Sequence, residues 1–227
     1  MILYKNGKKK IFFIHIPRNA GRYIRELFLK NKYETSHDQW MPSQQRGRAP
    51  TEQLKWGIEI AHLHYPLYDL LPIKNLPIFT IIRNPFDRLK RSLAEEFIRE
   101  ESHLKFPLKE EYFYIGIEKH RKYLSYHNNW YRPQHEFLSP DTKLWKFDWG
   151  FKDQFCKWLN ETFDLNVVPA EIKQDYDKSP VDTLSIPSHI EKYLEEIKPF
   201  VKKYYHQDYR LFDSLKVIPG DIISPKM

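Results

Sequence analysis

Arg18 and Arg22 flank a tight turn in the stretch IFFIHIPRNAGRYI, residues 11–24, and fixed positive charge beside a turn is what a phosphate or sulfate requires. The turn follows Ile11, Phe12, Phe13 and Ile14, a continuous apolar run of the kind that forms a short strand buried on both faces. Pro17, Arg18, Asn19, Ala20 and Gly21 are too rich in strand breakers to prolong it. Tyr23, Ile24, Leu27 and Phe28 then recur at helical spacing. The predicted order is therefore strand, turn, helix. The first N–H groups of a helix have no acceptor within it, and the helix dipole adds roughly half a positive charge at the same end, so anions bind at such corners. The turn is not a Walker A loop, because GxxxxGK[ST] needs two glycines and a Lys-Ser/Thr pair and only Gly21 is present. The plain alternative is an ordinary corner with solvated arginines.

A second cluster of chemistry-bearing residues lies in Pro77 to Arg99, PIFTIIRNPFDRLKRSLAEEFIR. Ile78 to Ile82 read as another buried strand, Asn84 as a helix N-cap and Pro85 as the first helical residue. Phe86, Leu89, Leu93 and Phe97 then mark one face of the helix. Between the two stretches, Ile58, Ile60 and His62 alternate as in a strand that leads to His62 and His64, just before Pro66. A neutral imidazole, with a pKa of about 6.5, can accept the proton of a hydroxyl under attack. Alone, any one of ten histidines is more often a satisfied structural group.

The first stretch resembles the 5′-phosphosulfate loop of sulfotransferases that use 3′-phosphoadenylyl sulfate (PAPS), in the branch containing many carbohydrate enzymes, where the pattern is hydrophobic-H-I-P-K-T-A-G-T-S. His15, Ile16, Pro17, Ala20 and Gly21 match; Arg18 replaces Lys, Asn19 and Arg22 replace Thr, and Tyr23 replaces Ser. The second resembles that family's 3′-phosphate motif, T-I-x-R-[DN]-P-x-x-R-x-x-S, through Thr80, Arg83, Asn84, Pro85, Arg88 and Ser92. The resemblance implies that residues 17–23 hold the 5′ end of PAPS, with Arg18 neutralising the leaving oxygen, and that Arg83 and Ser92 hold the 3′-phosphate. It also implies that His62, in an Ala-His pair where relatives have Gly-His, is the general base, with His64 and Glu59 as alternatives.

The rest of the chain follows the same family order. Ser36 to Pro50 reads as a polar excursion able to wall an acceptor cleft, Thr51 to Trp56 as a short helix, and Tyr112 to Tyr126 as containing a helix. Pro133-Gln134 and Phe137-Leu138 match a loop that borders the active site in relatives, which makes Asn129, Arg132 and Gln134 candidate contacts. Leu144 to Phe147 reads as a third strand, and Phe155, Leu159 and Phe163 stripe a helix. Lys178-Ser179-Pro180 falls where relatives close a loop over the nucleotide. Ser188 and Glu191 form a capping box, Pro199 is expected to start a new turn, and Tyr205, Asp208, Tyr209, Leu211 and Phe212 match a closing Y-x-x-D-Y-x-L-F signature.

The chain's 227 residues suffice for one α/β domain, and the expectation is a single sulfotransferase domain over residues 1–227 with a P-loop NTPase-like three-layer fold: a central parallel sheet flanked by helices. A formal net charge of +7 suits a polyanionic ligand without choosing among them. With Cys156 the only cysteine, an intrachain disulfide and a cysteine-based zinc cluster are excluded. No run approaches the roughly 20 apolar residues of a membrane span, and MILYKNGKKK lacks a signal-peptide apolar region, so the expected location is cytoplasmic, as in a bacterial or viral relative, unless the chain is a trimmed secretory-pathway domain. The reading is a PAPS-dependent sulfotransferase acting on a hydroxyl, with a saccharide as acceptor, no metal, no membrane and no nucleic-acid partner. Two other classes stay open: a P-loop-like nucleotide-dependent kinase and a non-catalytic polyanion-binding relative.

Overall fold

The computed structural model describes residues 2–36, 64–65, 75–100, 128–172 and 188–216. Their elements run in the order β1 (Ile2–Asn6), β2 (Lys9–Ile14), α1 (Gly21–Lys30), β3 (Glu34–Ser36), β4 (Ile78–Ile82), α2 (Pro85–Glu100), β5 (Lys143–Lys146), α3 (Asp153–Phe163), α4 (Ser188–Tyr204) and α5 (His206–Ser214). Single 3-10 turns occupy Asn128–Trp130, Gln134–Phe137 and Phe147–Trp149.

These strands form one five-stranded sheet in the order β3-β1-β2-β4-β5. β2 pairs in parallel with β4, and β4 with β5, whereas β1 runs antiparallel to both its neighbours. The expectation of a parallel sheet is corrected accordingly: the sheet is mixed. The reason is local. Asn6 pairs with Lys9, so the hairpin loop has only two residues, and Gly7 takes a φ of 58° at the first of them, which a II′ turn requires and glycine adopts without strain.

The apolar runs behave as strands buried on both sides, because successive side chains enter different clusters. Ile11, Phe13, Phe79, Ile81 and Trp145 pack with Ile24, Leu27 and Phe28 of α1 and with Phe155, Trp158 and Leu159 of α3. Phe12, Ile14 and Ile82 pack instead with Phe137 and with Phe212 of α5. A third cluster joins Leu89 and Leu93 of α2 to Leu194, Ile197 and Val201 of α4, with Trp130 and Tyr131 between them. Helices therefore cover both faces of a mixed α/β sheet. Cys156 lies in the first cluster, where burial, with Asp153 nearby, pushes its thiol up to about 11.

Asn84 caps α2 as its sequence position predicts: its Oδ1 accepts from Phe86 N at 3.0 Å and Asp87 N at 3.3 Å. Pro199 departs from expectation. It lies inside α4 on an exposed position, where water can serve the carbonyl that loses its helical N–H partner. No helix among the described residues is long and apolar enough to cross a membrane. The excursion Ser36 to Pro50 beyond its first residue, the helices read at Thr51 to Trp56 and within Tyr112 to Tyr126, the strand bearing Glu59 and His62, and Lys178-Ser179-Pro180 lie outside the described residues.

Candidate anion-binding site

From β2 the chain continues through α1 to β3, on the β1 side of the sheet, whereas the strand beyond β4 on the other side is β5. The carboxyl ends of β2 and β4 are thus neighbours whose onward elements lie on opposite sides. In open α/β sheets such a divergence leaves a crevice that ligands occupy. Both arginine-bearing turns lie there.

In the first turn, Arg18 and Ala20 have φ values of 70° and 61°, a left-handed conformation that costs a non-glycine residue on the order of 1–2 kcal/mol. Two such residues bend the chain sharply between β2 and α1, and Asn19 N–H closes the turn on Ile16 O at 3.2 Å. Gly21 opens α1 and meets a separate demand: a Cβ there would be driven into the His15 ring, at Nε2 and Cδ2. The imidazole lies against the bare Cα and stacks on Phe13 at 5.8 Å. Gly21→Ala is accordingly expected to displace His15 and the turn and to lower stability by about 1–3 kcal/mol, the range for overpacking; urea unfolding with a wild-type midpoint would show that the ring yields freely.

Arg18 is half-buried, with its guanidinium carbon 3.9 Å from the centre of the Trp130 ring, a stacking that holds the charge at the mouth of the turn. Its carbonyl accepts from Arg83 Nη1 at 3.1 Å, so the arginine that ends β4 reaches directly to the turn that ends β2. The Arg83 guanidinium also lies 4.3 Å over Phe147. Burial, reinforced by the nearby Arg91 charge and opposed by Asp87 and Asp148, pushes it down to about 10, so it stays charged at neutral pH.

Arg88 is fully enclosed and binds three carbonyls: Nε donates to Pro17 O at 3.0 Å, Nη1 to Arg132 O at 2.7 Å and Nη2 to Asn129 O at 3.0 Å. It ties the first turn to the loop at 129–132. Ser92 is equally buried, and its hydroxyl donates to Arg88 O at 3.1 Å and Trp130 O at 3.2 Å, which leaves its single proton committed to backbone. The motif spacing explains why. R-x-x-S counted from Arg88 ends on Arg91, and Ser92 stands one residue further, a rotation of about 100° around the helix that turns it into the core. Arg91 is half-buried, with burial lowering its pKa, and its charge bears on Arg83.

Pro17, Asn19 and Gly21 are buried, while Ala20, Arg22 and Tyr23 are half-buried. Tyr23 turns its hydroxyl to Phe151 O at 2.6 Å. Asn19 Nδ2 donates to Ile81 O at 2.7 Å and to Gln134 Oε1 at 2.6 Å. Of the loop candidates, Asn129 and Arg132 serve one another, with Arg132 Nε donating to Asn129 Oδ1 at 3.0 Å, and Arg132 pairs with Glu136 at 2.7 Å. The closing signature holds this loop in place: Tyr205 Oη donates to Tyr131 O at 2.6 Å, and Asp208 accepts from Gln134 N at 2.7 Å and His135 N at 2.9 Å. His64 is half-buried, and the next residue, Tyr65, donates its N–H to Glu136 O at 3.1 Å. That bond anchors the end of the histidine segment beside the same loop. His62 and Glu59 lie outside the described residues.

Chemically, the arrangement presents two cationic strand-end turns joined by one arginine, which suits a ligand carrying two separated anionic groups. The chain matches no family model, no curated protein and no solved structure.

Proposed function

We propose that the chain is a PAPS-dependent sulfotransferase that transfers a sulfuryl group to a hydroxyl, a carbohydrate in the first instance, on a P-loop NTPase-like version of its α/β architecture. The observation that carries this reading is the bond from Arg83 Nη1 to Arg18 O. It joins two cationic turns at the ends of adjacent parallel strands, as a nucleotide with phosphates at both 3′ and 5′ positions needs. The first turn takes the 5′-phosphosulfate. Arg83, with Arg91 in the motif position that Ser92 misses, takes the 3′-phosphate. The acceptor oxygen attacks sulfur as the bond to the 5′-phosphate oxygen breaks, Arg18 offsets the charge that develops on that oxygen, and His62 takes the hydroxyl proton. The missing Walker A lysine weighs against the kinase. Binding without transfer is a second reading, favoured by Tyr23, whose hydroxyl is engaged at Phe151 O where the resembled motif has a serine.

The test is calorimetry with adenosine 3′,5′-bisphosphate. Arg83→Ala is expected to weaken binding by about 1.5–3 kcal/mol, the range for hydrogen bonds to a charged group. Arg91→Ala should weaken it less, and Ser92→Ala should leave it nearly unchanged, because that hydroxyl serves Arg88 and Trp130. Unaltered affinity in Arg83→Ala, or equal affinity for the nucleotide lacking its 3′-phosphate, sinks the assignment. Sulfate transfer from labelled PAPS to a panel of saccharides separates the enzyme from the binding protein.

A further inference from the structure

We propose that Gln134 is the positioning residue that sets the separation of the two anion turns, a role that deepens and rests on the nucleotide reading above. Its side chain is fully buried. Oε1 accepts from Arg83 N at 3.0 Å and from Asn19 Nδ2 at 2.6 Å, while Nε2 donates to Arg83 O at 2.7 Å. The orientation of the amide is dictated by its neighbours, since Nε2 meets a carbonyl and Oε1 meets two donors; a flipped amide would lose all three bonds.

Each contact acts on a different turn. At Arg83, immediately past the last β4 residue, Gln134 satisfies both main-chain groups, as an adjacent strand would. At Asn19 it takes one of the two Nδ2 hydrogens while Ile81 O takes the other, so the first turn is fastened at once to the end of β4 and to the clamp. Gln134 is itself held from α5, because its own N–H reaches Asp208 Oδ2 at 2.7 Å. The Asp208 carboxylate is fully buried, and its Oδ1 accepts from His135 N at 2.9 Å and lies 2.7 Å from His135 Nδ1. A continuous chain of hydrogen bonds thus runs from α5 through Gln134 into both turns.

An uncharged amide in this position brings no proton and no charge to the reaction. Its contribution is distance. For a donor gripped at two phosphates, the spacing of the turns fixes where the reacting sulfur sits, and an error near 1 Å in such geometry can cost on the order of 10²-fold in rate.

The test is amide hydrogen exchange on nucleotide-free protein, read at Asn19 and Ile24 for the first turn and at Arg88 for the second, with Phe13 and Phe79 as sheet references. Gln134→Ala is expected to speed exchange about tenfold or more at both turns and by less than about threefold at the references. Asn19→Ala, which removes the arm to the first turn together with the bond to Ile81 O and keeps both bonds to Arg83, should loosen Ile24 and leave Arg88 protected. Gln134→Asn, whose shorter amide leaves every partner in place but cannot span both turns, serves as the deciding variant if Gln134→Ala does not fold, with faster exchange expected at the turns than at the references. Equal acceleration at turns and references, or wild-type protection at both turns, overturns the positioning role. A parallel titration compares adenosine 3′,5′-bisphosphate with adenosine 5′-phosphate. The bisphosphate's advantage should shrink about tenfold or more in Gln134→Ala, and an undiminished advantage counts against the clamp. A wild-type protein that binds neither nucleotide rejects the sulfotransferase reading, while the exchange measurement still decides the role of Gln134.

Discussion

Replacing Arg88 with alanine is expected to lower stability by about 3–5 kcal/mol, since three buried carbonyls lose their donor at about 1–3 kcal/mol each and such losses are not fully additive. The guanidinium is enclosed and bonds to the carbonyls of Pro17, Asn129 and Arg132, so truncation strands three acceptors in a space that water enters poorly, and each bond to a charged donor is worth about 1.5–3 kcal/mol before non-additivity. For a chain of this length the melting temperature should fall on the order of 10 °C. Arg88→Lys should recover only part of the loss, because a point charge on a flexible stem cannot span three carbonyls held by a planar fork. Urea unfolding of the three proteins makes the comparison. A loss below about 1 kcal/mol in the alanine variant would mean that the carbonyls find other donors and that Arg88 is not the strut described.

The second large effect concerns turnover in the sulfuryl transfer proposed above. Arg18→Ala is expected to reduce kcat by about 10²–10³, the range for removing one donor aimed at charge that develops in a transition state, while bisphosphate affinity falls far less. The asymmetry follows from differential binding: the leaving oxygen gains its negative charge only as the bond to sulfur breaks. In the proposed transfer, the Trp130 face 3.9 Å from the Arg18 guanidinium carbon would hold that charge in place. Arg18→Lys, which restores the residue of the resembled motif, should keep most of the rate. Single-turnover transfer from labelled PAPS, run beside calorimetry, separates the two quantities. If the alanine variant kept its rate constant and lost only affinity, the turn would be a grip without a catalytic part.

Part of the site was legible because the information was local. The Asn84 cap involves residues two and three positions away, and Ile11–Ile14 and Ile78–Ile82 announce buried strands through uninterrupted apolar runs. Gly7, the first residue of a two-residue loop, is an equally local feature, and the hairpin it closes is what makes β1 antiparallel to β2. The environment of Ser92 had a different origin. One residue on a helix rotates a side chain by about 100°, which separates the core position of Ser92, bonded to Arg88 O and Trp130 O, from the half-buried position of Arg91.

The two strand-turn-helix corners, their order along the chain and the arginines they carry are written locally, since each depends on neighbours within one helical turn or one strand. That the corners meet, and how, follows from packing between distant segments. Arg88 joins Pro17 across 71 positions of chain, Gln134 joins Asn19 across 115, and Asp208 holds Gln134 across 74. A buried arginine or glutamine has no local pattern that separates it from an exposed one. Most of the partners of Arg88 and Gln134 are backbone groups, which every residue possesses, and the Asn19 and Asp208 side chains that meet Gln134 stand 115 and 74 positions away, so no local pattern marks where those bonds form until the sheet brings the loops together.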